Sequence, residues 1–327
     1  MRCAMVLGML GVAAAQAAPL PALKAGQDIS VSGVSSGGYM AVQMQVAHAQ
    51  QVSGAGIFAA GPYDCAQGSM LRALTHCMAG SRWFPPPIPA DARALIENRA
   101  RAGSIDSPAA LARQRVWVLG GHNDQVVERP VVQALLAFYR DWIPAPQIAF
   151  VSLPEAGHGM ISVADPAALA CGSNKVSPHI NRCGDFDGAG ALLAFLLGPL
   201  QPRQGARPEH LHAFDQTPYG ARDAGMADTG YAYIPAACTQ GGCRVHVAFH
   251  GCEQSAEQIG RRFVEGSGYN EWAEANRLIV LYPQIAPRLV SNPKGCWDWW
   301  GYTDAAYATR NGAQIRAVWG MVEQLGR

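Results

Sequence analysis

The sequence has little charge and no excess of either sign. Charged residues make up 15% of its 327 residues, and 25 Lys and Arg stand against 24 Asp and Glu, which gives a formal net charge of +1. Because binding to nucleic acid or to an anionic membrane depends on a positive field, we predict neither partner. A disordered chain would be more charged and less apolar than this one, which is 49% hydrophobic. We therefore expect a folded chain with a large core.

The sequence also lacks long apolar runs after its N-terminus and closely spaced metal ligands. No later segment is apolar enough to cross a bilayer. Its nine cysteines include no Cys-x-x-Cys pair and no Cys/His spacing typical of zinc sites. We expect no membrane-spanning helix, no metal and no cofactor.

The first residues have the pattern of a secretory signal peptide. Arg2 precedes an uncharged apolar run over residues 4–15, and Ala15-Gln16-Ala17 is a small-x-small cleavage sequence. The pattern predicts a signal peptide over residues 1–17 and a mature chain from Ala18. We expect a secreted protein, either extracellular or retained in the periplasm.

Eight cysteines remain once Cys3 is removed with the signal peptide. An even number in an exported chain indicates disulfides, although eight cysteines allow on the order of a hundred pairings. Three pairs are neighbours in sequence, and a fourth pair is left over. The expected bridges are Cys65–Cys77, Cys171–Cys183, Cys238–Cys243 and Cys252–Cys296.

Short β-branched segments alternate with longer helical patterns, which predicts an α/β fold with a mainly parallel sheet. The predicted strands cover residues 28–33, 52–59, 115–119, 148–153, 244–250 and 278–282, with two more at 231–234 and near Ala213. The predicted helices cover residues 37–50, 131–142, 187–197, 255–276 and 314–325. Residues 61–114 form an insertion with a Pro-rich stretch, either a lid or a stapled loop.

Gly33-Val34-Ser35-Ser36-Gly37 is the one Gly-x-Ser-x-Gly sequence in the chain. It follows a predicted strand and opens a predicted helix, the setting in which this motif forms a sharp turn that exposes its serine. The helix N-terminus favours negative charge where an oxyanion would develop. We predict that Ser35 is a catalytic nucleophile.

A nucleophilic serine needs a histidine base and an acid that orients it. Asp124 and His158 follow two predicted strands that one helix separates, so both loops leave the same edge of a parallel sheet. We predict Asp124 as the acid and His158 as the base. Asp64 and Asp187 are alternative acids, although neither directly follows a strong strand. Other histidines fit less well because they lie within elements, in a connecting segment or beside Asp124: His48, His246, His210, His212 and His122.

Ser35 stands unusually close to the N-terminus for an enzyme of this kind. α/β-Hydrolases place the motif after several strands of the sheet, whereas only residues 18–34 would precede it in the mature chain. The C-terminal half can supply the missing strands, and its strand 244–250 ends in His250-Gly251-Cys252, similar to the oxyanion loop of esterases. We predict a circularly permuted α/β-hydrolase fold, with residues 18–327 forming a single catalytic domain.

Four segments are informative when they occur together: residues 32–40, residues 61–65, His250-Gly251-Cys252 and residues 295–299. They resemble the corresponding segments of single-domain extracellular poly(3-hydroxybutyrate) depolymerases, and the resemblance covers essentially the whole mature chain. It implies a circularly permuted α/β-hydrolase with a triad of Ser35, Asp124 and His158. It further implies an oxyanion hole formed by the amides of Ser36 and Cys252, and substrate contact by Trp299.

The resemblance implies a monomeric serine esterase that cleaves poly(3-hydroxybutyrate) or its oligomers through an acyl-enzyme. We expect Trp297 and Tyr39 to join Trp299 as substrate contacts, because aromatic side chains beside the catalytic centre suit a water-insoluble polyester. A Cys252–Cys296 bridge would tie the oxyanion loop to this aromatic segment.

Two other functions compete with this interpretation. An esterase for small or plant-cell-wall esters, such as feruloyl or acetyl esters, would use the same scaffold. An exported carbohydrate-binding or surface-binding protein with a decayed triad is the alternative from another class, but the intact set of Ser35, Asp124 and His158 argues against it. No separate substrate-binding module is visible, so adsorption to a polymer would have to use the surface of the catalytic domain.

Overall fold

An eight-stranded sheet forms the centre of the computed structural model, which describes residues 17–327. The predicted signal peptide, residues 1–17, lies outside the described residues except for Ala17. The strands of this sheet and of a smaller three-stranded one are β1 Ile29–Val34, β2 Val52–Phe58, β3 Arg115–Gly121, β4 Ile148–Leu153, β5 Met160–Ile161, β6 Leu169–Ala170, β7 Ile180–Arg182, β8 Leu211–Asp215, β9 Thr229–Tyr233, β10 Arg244–Phe249 and β11 Leu278–Tyr282.

Helices connect most of these strands. They are α1 Ser36–Ala47, α2 Met70–Leu74, α3 Pro89–Arg101, α4 Arg129–Arg140, α5 Gly188–Leu197, α6 Ala256–Ile259, α7 Arg262–Gly266, α8 Tyr269–Ala275 and α9 Ala313–Gly326, with a π-helical turn at Thr75–Ala79. No helix within residues 17–327 is both long and apolar enough to span a membrane.

The large sheet has the order β4-β3-β2-β1-β10-β11-β9-β8. Its pairs from β4 through β11 are parallel, and β9 and β8 are added antiparallel at one edge. The small sheet, β5-β7-β6, lies in the segment between β4 and α5. The α/β class and the mainly parallel sheet are therefore as predicted.

Side chains of the sheet are buried on both faces, as expected of parallel strands covered by helices. On β3, Val116 and Val118 join the core under α1, α4 and α9, whereas Trp117 and Leu119 join the core under α5 and α8. This alternation follows from the two-residue period of a strand. The sheet is thus the middle layer between two layers of helices, and loops follow the carboxyl ends of its parallel strands.

The ends of the described chain meet. The amides of Leu23 and Ala25 both donate to the carbonyl of Leu325, at 3.1 and 2.9 Å. β1, the first strand in the chain, lies inside the sheet between β2 and β10, so both halves of the chain contribute to one sheet. The circular permutation stays a prediction, for which this arrangement is the geometry required.

The prediction of one helix over residues 255–276 is wrong. The segment forms the three short helices α6, α7 and α8, because Gly260 and Gly268 adopt positive φ angles of 62° and 91°. Gly260 ends α6 and Gly268 precedes α8. Glycine is the residue that enters this region at least cost, so the two positions interrupt an otherwise helical pattern.

Candidate active site

Ser35 lies in the turn between β1 and α1, where the backbone is strained. Its φ of 57° and ψ of −122° fall in a region that side-chain-bearing residues rarely adopt. A Cβ added to Gly33 would lie 2.1 Å from the carbonyl oxygen of Gly37, and one added to Gly37 would lie 2.3 Å from that of His250. Close backbone packing therefore requires both glycines of the motif.

The loop after β10 lies directly beside Ser35. Gly33 of β1 pairs with Phe249 of β10, so the residues that follow the two strands leave the sheet side by side. A Cβ added to Gly251 would lie 3.4 Å from the Cβ of Ser35. Within residues 17–327 the backbone N–H groups of Ser36 and Cys252 have no hydrogen-bond acceptor. Two free amides thus flank the serine.

Asp124 and His158 are in contact at the end of β3 and β4. The Nδ1 atom of His158 lies 2.9 Å from Oδ2 of Asp124, and both side chains are almost fully buried. The other carboxylate oxygen, Oδ1, accepts the amides of Val126 and Val127 at 2.8 and 2.9 Å. Since the carboxylate can only accept, His158 donates from Nδ1 and keeps Nε2 free.

Asn174 joins the loops of these two residues. Its Oδ1 accepts the amide of His158 at 3.1 Å, and its Nδ2 donates to the carbonyl of Asn123 at 2.9 Å. The amide of Gly157 donates to Cys171, which is bridged to Cys183. The small-sheet segment between β4 and α5 therefore holds the histidine loop in place.

The alternative histidines and acids lie in other settings. Burial lowers the pKa of His48 and of His246 to about 3, and the first stacks on Trp319 while the second bonds Ser30 and Ser32. The rest are engaged elsewhere or exposed. His122 is exposed beside Ser152, His210 pairs with Glu274, His212 is exposed, Asp64 pairs with Arg99, and Asp187 caps α5.

Ser35 and His158 line one cavity of about 490 Å³. Apolar side chains form much of its wall, among them Met70 and Leu74 of the insertion. Tyr39 and Trp299 stack face to face in this wall with ring centroids 4.3 Å apart, and Trp300 extends the aromatic surface. Two of the three predicted substrate contacts, Tyr39 and Trp299, therefore border the cavity.

Trp297 does not border the cavity, which corrects the expectation that it contacts the substrate. Its side chain is fully buried and packs edge-on against Phe249 at 4.9 Å and beside His250 at 5.6 Å. Its backbone amide donates to Oγ of Ser36 at 3.3 Å. Trp297 thus belongs to the core beneath the turn that carries Ser35, while Trp299, two residues later, faces the cavity.

The structure contains the four disulfides expected from the sequence, Cys65–Cys77, Cys171–Cys183, Cys238–Cys243 and Cys252–Cys296. Both residues of the Cys252–Cys296 bridge line the cavity. It joins one of the two free amides to the loop that carries Trp299. Asp298 fixes that loop further, since its carboxylate accepts the amides of Gly301, Tyr302 and Thr303 at 2.7–3.0 Å.

Four ionisable residues of the cavity are not indicated by any pattern in the sequence: Lys175, His179, Glu253 and Lys294. His179 packs edge-on to His158 with ring centroids 6.2 Å apart, and burial lowers its pKa. Its Nε2 lies 3.3 Å from Glu253, which also pairs with Lys294 at 3.3 Å. These residues come together only through tertiary packing, so no spacing along the chain points to them.

Two proteins resemble the chain over nearly all of its length. It is 38% identical over 328 residues to a poly(3-hydroxybutyrate) depolymerase of Delftia acidovorans, covering 98% of this chain and 64% of that protein. It is 36% identical over 333 residues to a polyhydroxybutyrate depolymerase of Talaromyces funiculosus, covering 97% of this chain and 95% of that protein. The chain thus spans just under two thirds of the length of the Delftia protein.

Solved structures of PHB depolymerases also resemble the chain over most of its length. The crystal structure of a PHB depolymerase from Penicillium funiculosum matches with a TM-score of 0.86 and 34% identity, over 94% of this chain and 98% of that one. A PHB depolymerase complexed with an R3HB trimer matches to the same extent. No protein-family model matches the chain. The similarity to solved structures therefore extends over both halves of the sheet.

Proposed function

The chain belongs to the poly(3-hydroxybutyrate) depolymerase family, serine hydrolases that act on carboxylic ester bonds, and from this we propose that it hydrolyses poly(3-hydroxybutyrate) or its oligomers. One observation carries the proposal: a serine on a strained strand-to-helix turn shares an apolar cavity with a histidine that a buried aspartate orients. The relative that is complexed with an R3HB trimer supports an oligoester as the substrate.

In the proposed mechanism Ser35 attacks the ester carbonyl. His158 takes the serine proton at Nε2, and Asp124 stabilises the imidazolium through the 2.9 Å contact at Nδ1. The same proton then passes to the departing alkoxide, which leaves as an alcohol. Water, deprotonated by His158, hydrolyses the acyl-enzyme and releases the acid, so each cycle consumes one ester and one water.

The amides of Ser36 and Cys252 are the proposed oxyanion hole. Both are free of other acceptors within the described part of the chain, and the helix N-terminus at Ser36 adds a favourable dipole. The Cys252–Cys296 bridge supports this role because it fixes one donor to the cavity wall. A donor that is already in place costs no reorganisation when charge develops.

Export and a monomeric state are further parts of the proposal. Four disulfides are typical of proteins from oxidising compartments, which supports secretion. Serine, histidine, aspartate and both free amides come from one chain, so the proposed site needs no second subunit.

A substrate panel tests the proposed function. We expect clearing of a poly(3-hydroxybutyrate) suspension and release of acid from a 3-hydroxybutyrate trimer, with little activity on feruloyl esters. A p-nitrophenyl butyrate assay run in parallel reports whether the enzyme is active at all. Activity on feruloyl or acetyl esters without activity on either hydroxybutyrate substrate would instead identify an esterase for plant-cell-wall esters.

Exposed apolar side chains beside the cavity are the proposed polymer-adsorbing surface. Leu289 and Val290 are 91% and 93% exposed and immediately precede Ser291, which lines the cavity. Because covering such side chains is worth about 1.5–3 kcal/mol each, replacing both with serine should lower hydrolysis of polymer films about tenfold or more. Hydrolysis of soluble p-nitrophenyl butyrate should stay unchanged.

A matched control for this prediction is Phe150→Ser. Phe150 is also exposed, at 40%, but lies on the edge strand β4 and does not line the cavity. The Phe150→Ser variant should therefore hydrolyse polymer films at the wild-type rate. If the Leu289/Val290 double variant lost activity equally on polymer films and on the soluble ester, these residues would not be an adsorbing surface.

A further inference from the structure

Charged side chains line the cavity, and only some of them form ion pairs within the described structure. Two lysines, Lys175 and Lys294, and one glutamate, Glu253, line it. Glu253 already pairs with Lys294 at 3.3 Å and lies 3.3 Å from His179. Lys175 is exposed and has no carboxylate within 4.0 Å among residues 17–327. A largely apolar cavity thus contains one cation without a counter-charge in the described structure.

Lys175 lies on the histidine side of the cavity. It directly follows Asn174, which accepts the amide of His158 at 3.1 Å and donates to Asn123 at 2.9 Å. Lys294 is held from the loop after β10, since its carbonyl accepts the amide of Glu253, the residue after Cys252, at 2.7 Å and its ammonium pairs with the same residue at 3.3 Å. The residue before Lys175 is thus bonded to the histidine loop, whereas Lys294 is engaged by Glu253.

The chemistry of ester cleavage indicates which half of the substrate lies near the histidine loop. His158 must reach the departing alkoxide to protonate it, so the leaving half of the substrate lies on the histidine side. In an oligomer of a hydroxy acid, the acyl half runs to the free hydroxyl end and the leaving half runs to the free carboxylate end. A carboxylate of the substrate therefore approaches the side on which Lys175 lies.

We propose that Lys175 binds the terminal carboxylate of a 3-hydroxybutyrate oligomer and so directs cleavage to ester bonds near that end. The inference rests on the proposed function, and it adds a carboxylate subsite to it. An ammonium on a flexible stem is suited to such a group, because it can follow oligomers that differ in length. No charge would be recognised in the interior of a polymer, so the subsite would act on oligomers and chain ends.

The test compares a 3-hydroxybutyrate trimer with its methyl ester, which differs only in the terminal charge. We expect kcat/KM of the wild-type enzyme to be about fivefold higher for the free acid, the size of effect expected of a partly solvated ion pair. Lys175→Met should abolish this preference by lowering activity on the acid alone. Lys175→Arg should retain it, and added salt should weaken it in the wild type.

Lys294→Met is the matched control, since it removes a cation that also lines the cavity but is paired with Glu253. It should keep the ratio of acid to methyl ester near that of the wild type. The inference is overturned if the wild type hydrolyses both trimers equally, if Lys175→Met lowers both equally, or if Lys294→Met alone removes the preference. A wild type that clears the polymer but hydrolyses neither trimer also overturns the inference, whereas one that cleaves p-nitrophenyl butyrate but neither the polymer nor a trimer would overturn the proposed function itself.

Discussion

Alanine in place of Ser35 is expected to lower kcat for p-nitrophenyl butyrate about 10⁶-fold. The change removes the attacking oxygen and nothing that holds the turn. The Ser35 side chain does not cap α1, and the backbone amide that donates to Phe58 at 2.9 Å is unaltered. Thermal unfolding should therefore stay close to that of the wild type, and the measurement is the initial rate beside a melting curve.

Ser291→Ala is the matched control for Ser35. This serine also lines the cavity, but it lies on an exposed loop away from any strand-to-helix turn. It should retain activity within a few-fold. An organophosphate probe should label the wild type and Ser291→Ala at one site and should not label Ser35→Ala. Appreciable turnover by a folded Ser35→Ala would show that the nucleophile is another group.

Asparagine in place of Asp124 is expected to lower kcat about 10⁴-fold with the fold retained. The amide oxygen can still accept from Val126 and Val127, which Oδ1 of Asp124 does at 2.8 and 2.9 Å. The amide nitrogen would then face Nδ1 of His158 as a donor. His158 would have to accept there and carry its proton on Nε2, where it can no longer take the proton of Ser35.

Asp187→Asn is the control, because Asp187 is one of the two alternative acids and serves a structural role. Its carboxylate accepts the amide of Gly190 at 2.9 Å as the cap of α5 and accepts from the indole of Trp272 at 2.9 Å. We expect a small loss of thermal stability and nearly full activity. If Asp187→Asn were inactive and Asp124→Asn active, the acid would be misassigned. Both variants are compared by kcat on one soluble ester.

Much of the fold follows from local patterns in the sequence. Strands 148–153 and 278–282 are predicted with the bounds that the structure has, because their β-branched runs end at turn residues. The prediction fails for residues 255–276, where helical periodicity continues across Gly260 and Gly268. Two positive-φ glycines within an apolar pattern are a weak signal in the sequence.

The sequence likewise indicates only some of the residues that line the cavity. The sequence points to Ser35, Asp124 and His158 because each lies in the turn or loop after a predicted strand, and the structure brings Asp124 and His158 into contact. The aromatic segment shows the limit of such reasoning, since composition alone does not tell Trp297 from Trp299. One is buried against Phe249 and the other stacks on Tyr39, a difference set by the path of the chain after Cys296. Lys175 and Glu253 reach the cavity through loops with no periodicity.

The position of β1 has a consequence for how a newly made chain becomes an enzyme. β1 pairs with β2, which is the next strand in the chain, and with β10, which is synthesised much later. Ser30 of β1 and His246 of β10, whose side chains are hydrogen-bonded, are 216 residues apart. Until β10 emerges, the strand before Ser35 is an open edge, which invites pairing with other chains. Such distant pairing also slows folding. A chain caught partway through synthesis or export has Ser35 but not the loop with Gly251 and Cys252, so the proposed site can assemble only after β10 has been made.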